Sequence, residues 1–397
     1  MSGFDQRQST QHPPHHVAGG ALRLIPIDDE ALRAFVDLVG GSALQTPEWA
    51  AVKPGWEAER LGWADDGGRL VAAALVLHRR LPLGPARLTP RRTLAYVPEG
   101  PVMLPAPQAP DPGAVLTSLV RHVRAEGAFT LRVGPRVRHR VWDAARVRAA
   151  IAAGAADLDA VPPARTDPEG ARWTAALDRL GWTAAPRDLG DGQPWLVAVL
   201  DVADRSAADL RAGTNQQWRR NLARAQAAGV EVRRATPTDV AVFEDLYVET
   251  ARRHGFVPRP RGYLTRLLGA LGGRARLDVA VHEGAVLAGA VTVRTGPRVC
   301  YLYGASTARD REVRAANALH WSIALRVAEQ GGSLYDLRGV EPGLRPSDPA
   351  SGLLRFKAGL GADAVEYVGE WELGLRPGWA AAYRVVRERQ RRRAAAR

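Results

Sequence analysis

The short, mostly apolar stretch ALRLIPI, from Ala21, predicts a strand, and the apolar spacing over Asp29 to Val39 predicts a helix behind it. In ADDGGRLVAAALVLHRRLP two apolar runs flank an Asp/Gly turn, which is the chemistry of a hairpin. TLAYVPEGPVML reads as a further strand, Gly113 to Glu126 as a helix, and AFTLRVGP as another strand. The arginine-rich passage from Arg136 to Thr174 reads as an insertion, or as a helix pair containing RVWDAARVRAAIAA.

The same order then returns. VAVHEGAVLAGAVTVRTG repeats the first hairpin, VCYLYGAS answers TLAYVPEGP, a helix over Ala315 to Glu329 answers Leu116 to Glu126, and GGSLYDLRGV answers GAFTLRVGP. The pattern is an internal duplication of a mixed α/β unit with a partly antiparallel sheet, in copies large enough to be domains rather than solenoid repeats. Between the copies, in NQQWRRNLARAQAAGVEVRRA, Trp218, Leu222 and Ala225 share one helical face and Arg219, Arg220 and Arg224 lie off it; Gly229 closes that helix. After Gly361 the pattern predicts one strand, EYVGEWELGL, then a helix from about Pro377 with Trp379, Tyr383 and Val386 on one side. The expected division is a disordered tail over 1–20, a first domain over 21–205 plus 362–397, and a second over 206–361.

Composition narrows the function. At 397 residues, 46% hydrophobic and 24% charged, the chain is a folded globular protein of two domains. A net charge of +13 favours acidic partners such as nucleic acid, phosphorylated small molecules or an anionic membrane face. One cysteine, Cys300 in an apolar run, excludes an internal disulfide and a cysteine-rich metal site. The N-terminal tail has no apolar core, and its His12, His15 and His16 read as solvated; no apolar run approaches a bilayer span, so a cytoplasmic location is expected. Only two of the 55 basic side chains are lysine, Lys53 in QTPEWAAVKPGW and Lys357 in SGLLRFKAGLG. Where arginine serves for every other positive charge, a retained lysine marks a site shaped for a compact ammonium.

The duplicated unit resembles the acetyltransferase (GNAT) fold. In that fold a glycine-containing loop opening a helix holds the pyrophosphate of coenzyme A. Here the corresponding STARDREVRAANALHW has no glycine, so coenzyme A is not expected as donor. QTPEWAAVK, NQQWRRNLARAQAAGVEV, DLYVETARRHGFVPRPRGYL, VLAGAVTV, YLYGAS, LYDLRGV, LLRFKAGLG and VGEWEL occur in an order that resembles the Fem-type peptidoglycan aminoacyltransferases, which consist of two acetyltransferase-like domains.

That resemblance implies transfer of an amino acid from aminoacyl-tRNA to an amine in the stem peptide of a cell-wall precursor, UDP-linked or lipid-linked (lipid II). No cofactor is implied beyond aminoacyl-tRNA as co-substrate. Lys357 falls on the family's Phe-Lys motif with Phe356 beside it, in the role of stabilising charge in the reacting ester or holding the tRNA end. Lys53, with Trp49 before it, falls on the family's Trp-x-x-x-Lys position, in contact with the diphosphate of the acceptor. Arg259 is the candidate second diphosphate contact, and Arg261 its rival, because spacing does not separate them.

From the residues themselves, Asp336 is a candidate proton acceptor or orienting carboxylate and, equally, a structural aspartate at a strand end; Tyr303 is the leading channel tyrosine over Tyr301 and Tyr335. His320 and Trp321 read as core. Arg219, Arg220, Arg224 and the C-terminal arginines suit tRNA phosphates, and the C-terminal helix suits an anionic membrane equally well. No catalytic triad, nucleophile elbow or metal-ligand spacing is present. The expectation is a monomeric cytoplasmic aminoacyltransferase. A natural-product aminoacyltransferase using the same donor and an acyl-CoA-dependent N-acyltransferase are the alternatives.

Overall fold

The computed structural model of the protein describes residues 22–80, 92–187, 192–348 and 351–385. In chain order the strands are β1 (Arg23–Pro26), β2 (Glu57–Ala64), β3 (Leu70–Arg80), β4 (Thr93–Val97), β5 (Val102–Met103), β6 (Ala128–Val133), β7 (Arg138–Trp142), β8 (Arg165–Thr166), β9 (Thr183–Ala184), β10 (Leu196–Asp201), β11 (Glu231–Arg234), β12 (Ala275–His282), β13 (Ala285–Thr295), β14 (Arg298–Ser306), β15 (Leu334–Gly339), β16 (Asp363–Tyr367) and β17 (Trp371–Gly374). The helices are α1 (Asp29–Leu38), α2 (Pro47–Val52), α3 (Pro112–Ala125), α4 (Ala144–Ala152), α5 (Pro168–Arg179), α6 (Ala207–Gly213), α7 (Gln216–Ala227), α8 (Pro237–His254), α9 (Tyr263–Leu271), α10 (Ala315–Glu329) and α11 (Ser351–Leu360).

Two sheets result, in the orders β1-β2-β3-β4-β6-β17-β9 and β11-β12-β13-β14-β15-β10-β16-β7-β8, with β5 paired to β3. The duplication is visible in them strand by strand. Each sheet starts with antiparallel neighbours, carries one parallel pair (β4 with β6, β14 with β15), and continues with an antiparallel strand, β17 or β10. The hairpins β2–β3 and β12–β13 are the two that the apolar runs predicted.

The chain crosses between the sheets in a way that corrects the expected boundaries. β7, β8 and β10, placed by sequence in the first domain, pair in the second sheet, and so does β16. EYVGEWELGL is not one strand. Gly369, at φ +81, breaks it, so that β16 stays beside β10 while β17 crosses to pair with β6. The passage from Arg136 to Thr174 is likewise more than a helix pair, since it contributes β7 and β8 as well as α4 and the start of α5.

Local signals explain the helix ends that matter for the site. α8 opens with a reciprocal cap between Thr236 and Asp239 behind Pro237 and closes on Gly255 at φ +71. On α7, Trp218, Leu222 and Ala225 are buried, as their spacing predicted. One apolar core runs from the first sheet through α8 and α9 to the inner face of β12 and β13; a second lies between the far face of the second sheet and α4, α7, α10 and α11. No helix among the described residues is long and apolar enough to cross a membrane. The helix at 377–385 sets Tyr383 edge-on to Phe129. The N-terminal tail with its three histidines, Val386, and the arginines beyond Arg384 lie outside the described residues.

Candidate active site

Lys53 caps the C-terminus of α2 in the first unit, and Arg259 sits between α8 and α9 in the second; α2 packs on α9, and this brings the two cations together. The Lys53 Nζ lies 5.2 Å from the centroid of the Trp49 ring, itself buried. Burial, with Arg259 adding to it, pushes the Lys53 amine down to about 8. Among the described residues neither Lys53 nor Arg259 has an ion-pair partner. Two adjoining cations without a carboxylate carry the charge that an anion would balance. Arg261 is separated from it: its Nη2 donates to Asp245 at 2.7 Å in an exposed surface pair. This removes Arg261 from the candidate contacts.

A tract of aromatic groups leads inward. The Arg259 guanidinium lies 5.6 Å over the Tyr263 ring, and the Tyr303 hydroxyl donates to the Tyr263 hydroxyl at 3.2 Å. Tyr247 packs edge-on to Tyr303 at 5.8 Å. Burial first, and then Tyr247, raise the Tyr301 hydroxyl to about 12. Tyr301 in turn packs edge-on to His320 at 5.0 Å. His320, with Nδ1 2.9 Å from the Tyr335 hydroxyl, is forced down to about 3 by burial and then by Lys357, so it is neutral near pH 7.

Lys357 ends this tract. It is 3% exposed, and its Nζ donates to the carbonyls of Arg338 at 3.2 Å and Gly339 at 2.8 Å. The gap it fills arises because β14 pairs with β15 only from Arg298 to Cys300 and then diverges. Burial, reinforced by Arg338, lowers the Lys357 amine to about 7. An ammonium has three donors, so one remains for a ligand.

Two sequence candidates have structural duties instead. Asp336 is fully buried, ion-pairs with Arg136 and accepts the Arg338 backbone N–H at 2.7 Å, which makes it an anchor for the end of β15 rather than a proton acceptor. Phe356 packs against Trp218 at 4.9 Å and against His320 at 5.6 Å, so its side chain fills the core between α7 and α11. His320 is core as read, and Trp321 packs on the same cluster.

The basic helix is docked directly on the lysine helix. Trp218 Nε1 donates to the Phe356 carbonyl at 2.7 Å, and Gly359 makes room for the indole, since a Cβ there would lie 2.5 Å from Trp218 Cδ1. Arg220 and Arg224 are exposed, whereas Arg219 donates back to the Thr214 carbonyl. At the place where acetyltransferases bind pyrophosphate, left-handed positions are occupied by Asp310 and Arg314, not glycine.

Sequence reasoning missed a buried cluster between the sheets. Glu99 of the first unit ion-pairs with Arg136 at 3.2 Å and with Arg338 of the second, and accepts from Ser42. Arg338 has φ +63, unusual for a residue with a side chain, and the bonds from Lys357 to its carbonyl and from its own N–H to Asp336 hold it there. The available signal was the charged PEGP after an apolar strand, with nothing to mark its partners.

A family model described as the FemAB family matches residues 27–283 and 278–388. A UDP-N-acetylmuramoylpentapeptide-lysine N(6)-alanyltransferase from Weissella viridescens is 26% identical over 352 residues, covering 85% of this chain and 90% of its own. Among solved structures, FemX aligns with a TM-score of 0.72 at 20% identity, covering 91% of this chain and 99% of its own. A tandem GNAT protein from the clavulanic acid biosynthesis pathway aligns with a TM-score of 0.48 at 16% identity, over 89% of this chain and 98% of that one. The FemX likeness shows the shared fold, a mixed α/β architecture of tandem acetyltransferase-like units.

Proposed function

The chain belongs to the FemAB family, and on that premise we propose that it is an aminoacyltransferase moving an amino acid from aminoacyl-tRNA to an amine on the stem peptide of a peptidoglycan precursor. The observation that carries the acceptor is the pairing of Lys53 and Arg259, two cations from different units with no carboxylate partner among the described residues. A diphosphate fits that charge. The relative from Weissella viridescens is named for alanyl transfer to the lysine of UDP-N-acetylmuramoylpentapeptide, an acceptor whose diphosphate has this chemistry.

The chemistry asks little of the protein. The ester of an aminoacyl-tRNA is already activated, so the acceptor amine attacks its carbonyl, the new amide bond forms, and the ester C–O bond breaks. The amine proton leaves, through water or directly, with the tRNA hydroxyl. The enzyme brings the two substrates together and offsets the negative charge on the tetrahedral oxygen. Lys357, with one N–H not given to a carbonyl, is the group for that oxygen, and the tyrosine tract from Arg259 inward is the route for the stem peptide. Arg220 and Arg224 on α7, next to α11, hold phosphates near the aminoacylated end. The lack of glycine in 307–314 argues against coenzyme A as the donor.

The test uses tRNA charged with radiolabelled amino acids and a UDP-linked muropeptide, with wild type beside Lys53→Ala and Lys357→Met. Label should move to the muropeptide, move only at high acceptor concentration with Lys53→Ala, and barely move with Lys357→Met. Transfer to the lipid-linked precursor alone would correct the acceptor. Transfer to neither would remove the chain from wall synthesis.

A further inference from the structure

A cavity of about 180 Å³ lies between the two sheets, apart from the Lys53 and Arg259 pair. Ser42, Glu99, Arg136, Glu169 and Arg298 supply its polar lining, and the rest is largely apolar. The Nη1 of Arg298 and the Nε of Arg136 are buried without a hydrogen-bond partner. Charge in this region is unbalanced. Glu99 is taken by Arg136, Arg338 and Ser42, Asp336 by Arg136, Glu169 by Arg172, and Glu370 and Glu372 by Arg132. Among the described residues Arg298 and Arg138 have no ion-pair partner. Burial alone would raise the Tyr367 hydroxyl, yet Arg136, Arg298 and Arg138 overcome it and bring it down to about 8. Burial and then Arg136 also disfavour the charged form of Arg298. A guanidinium held this way without a counter-charge is costly to the fold and suits a site that receives its anion from outside.

We propose that this cavity binds the free C-terminal carboxylate of the acceptor's stem peptide, with Arg298 as the principal contact. The proposal rests on the peptide-acceptor reading given above. The lining selects the ligand class: the unpartnered donors of Arg298 and Arg136 match a carboxylate, and the apolar remainder suits small apolar side chains. Position agrees with it. Glu99 on the cavity wall ion-pairs with Arg338, and Arg338 offers its carbonyl to Lys357. Glu99 and Arg338 together link the cavity wall to the reacting end, so a peptide anchored here by its terminus is placed to present an internal amine towards Lys357.

The test is binding of N-acetyl-D-alanyl-D-alanine and of its C-terminal amide to the full chain by titration calorimetry, with wild type and Arg298→Gln. The acid should bind wild type at least tenfold more tightly than the amide, and Arg298→Gln should lose that difference. Without ligand, Arg298→Gln should melt no lower than wild type, because it removes an uncompensated charge; a purely structural Arg298 would make it melt lower. Equal affinity for acid and amide, no binding of either, or a destabilised Arg298→Gln that still discriminates would overturn the proposal. In the transfer assay an amide-terminated muropeptide should show KM raised about tenfold with kcat retained. Transfer without discrimination sinks the cavity and leaves the enzyme; discrimination in binding without any transfer leaves the cavity and sinks the enzyme.

Discussion

In the first sheet β4 stays paired with β6 along its whole length, Thr93–Val97 against Ala128–Val133, and the residues there are mainly apolar and buried. In the second sheet β14 leaves β15 after three paired residues, a bulge opposite Val291 and Thr292 shifts Tyr301 and Tyr303 in register, and a lysine, a histidine and tyrosines occupy the opening. The same unit has been used twice, once with its parallel pair closed and once with that pair open around the candidate reacting groups. A closed parallel pair satisfies its backbone within the sheet. An open one leaves carbonyls that need another donor, and Lys357 provides it.

If that contrast holds, damage at the open strand pair should abolish chemistry and spare the fold, and damage at the closed strand pair should do the reverse. The largest effect should come from Lys357→Met, with kcat falling roughly 10²–10³-fold. Its stability should move the other way. Because Lys357 is brought down to about 7 by burial and then by Arg338, the unfolded chain holds that proton more tightly above this value. Wild type therefore carries the penalty in full below about pH 7 and loses it as pH rises towards about 10. Thermal melts should place Lys357→Met above wild type at neutral pH, with the gap closing in alkali; a gap constant with pH would refute the buried-amine account.

Lys53→Ala and Arg259→Ala come next, each raising KM for the acceptor about ten- to hundredfold with kcat nearly unchanged, as expected for lost charge-assisted contacts. A drop in kcat without a change in KM would move these residues from binding to chemistry. On the closed side, Leu131→Ala should cost about 2–5 kcal/mol in denaturant titration while kcat per folded molecule is preserved. Loss of activity in the folded variant would mean that the closed strand pair itself takes part in chemistry. The smallest effect is reserved for Arg220→Gln and Arg224→Gln, each about two- to threefold in KM for tRNA, with a shallower salt dependence.

Much of the duplicated fold and part of the site were legible in the sequence, and the reasons differ by feature. The repeated hairpins could be read because both copies keep apolar runs on either side of a turn, and α7 because Trp218, Leu222 and Ala225 fall on one stripe. Lys53 and Lys357 stood out because they are the only lysines in the sequence. The crossing of β16 and β17 was hidden, since nothing local tells EYVGEWELGL that its two ends belong to different sheets except the left-handed turn at Gly369. Arg259 could not be told from Arg261 until α9 fixed one beside Tyr263 and left the other on the surface. Arg298 and Arg136 were invisible for a plainer reason: in a chain this rich in arginine, a buried one looks like any other until its neighbours are known.

The position of β17 also bears on how the protein is made. The strand that sits between β6 and β9 is the last of the described strands to leave the ribosome; Thr130 and Leu373, joined across that seam, are 243 positions apart. At about 5–20 residues per second, β6 waits on the order of ten seconds or more with an unpaired edge. A nascent chain of this kind is a natural client for chaperones during synthesis, even though its finished form has that edge covered.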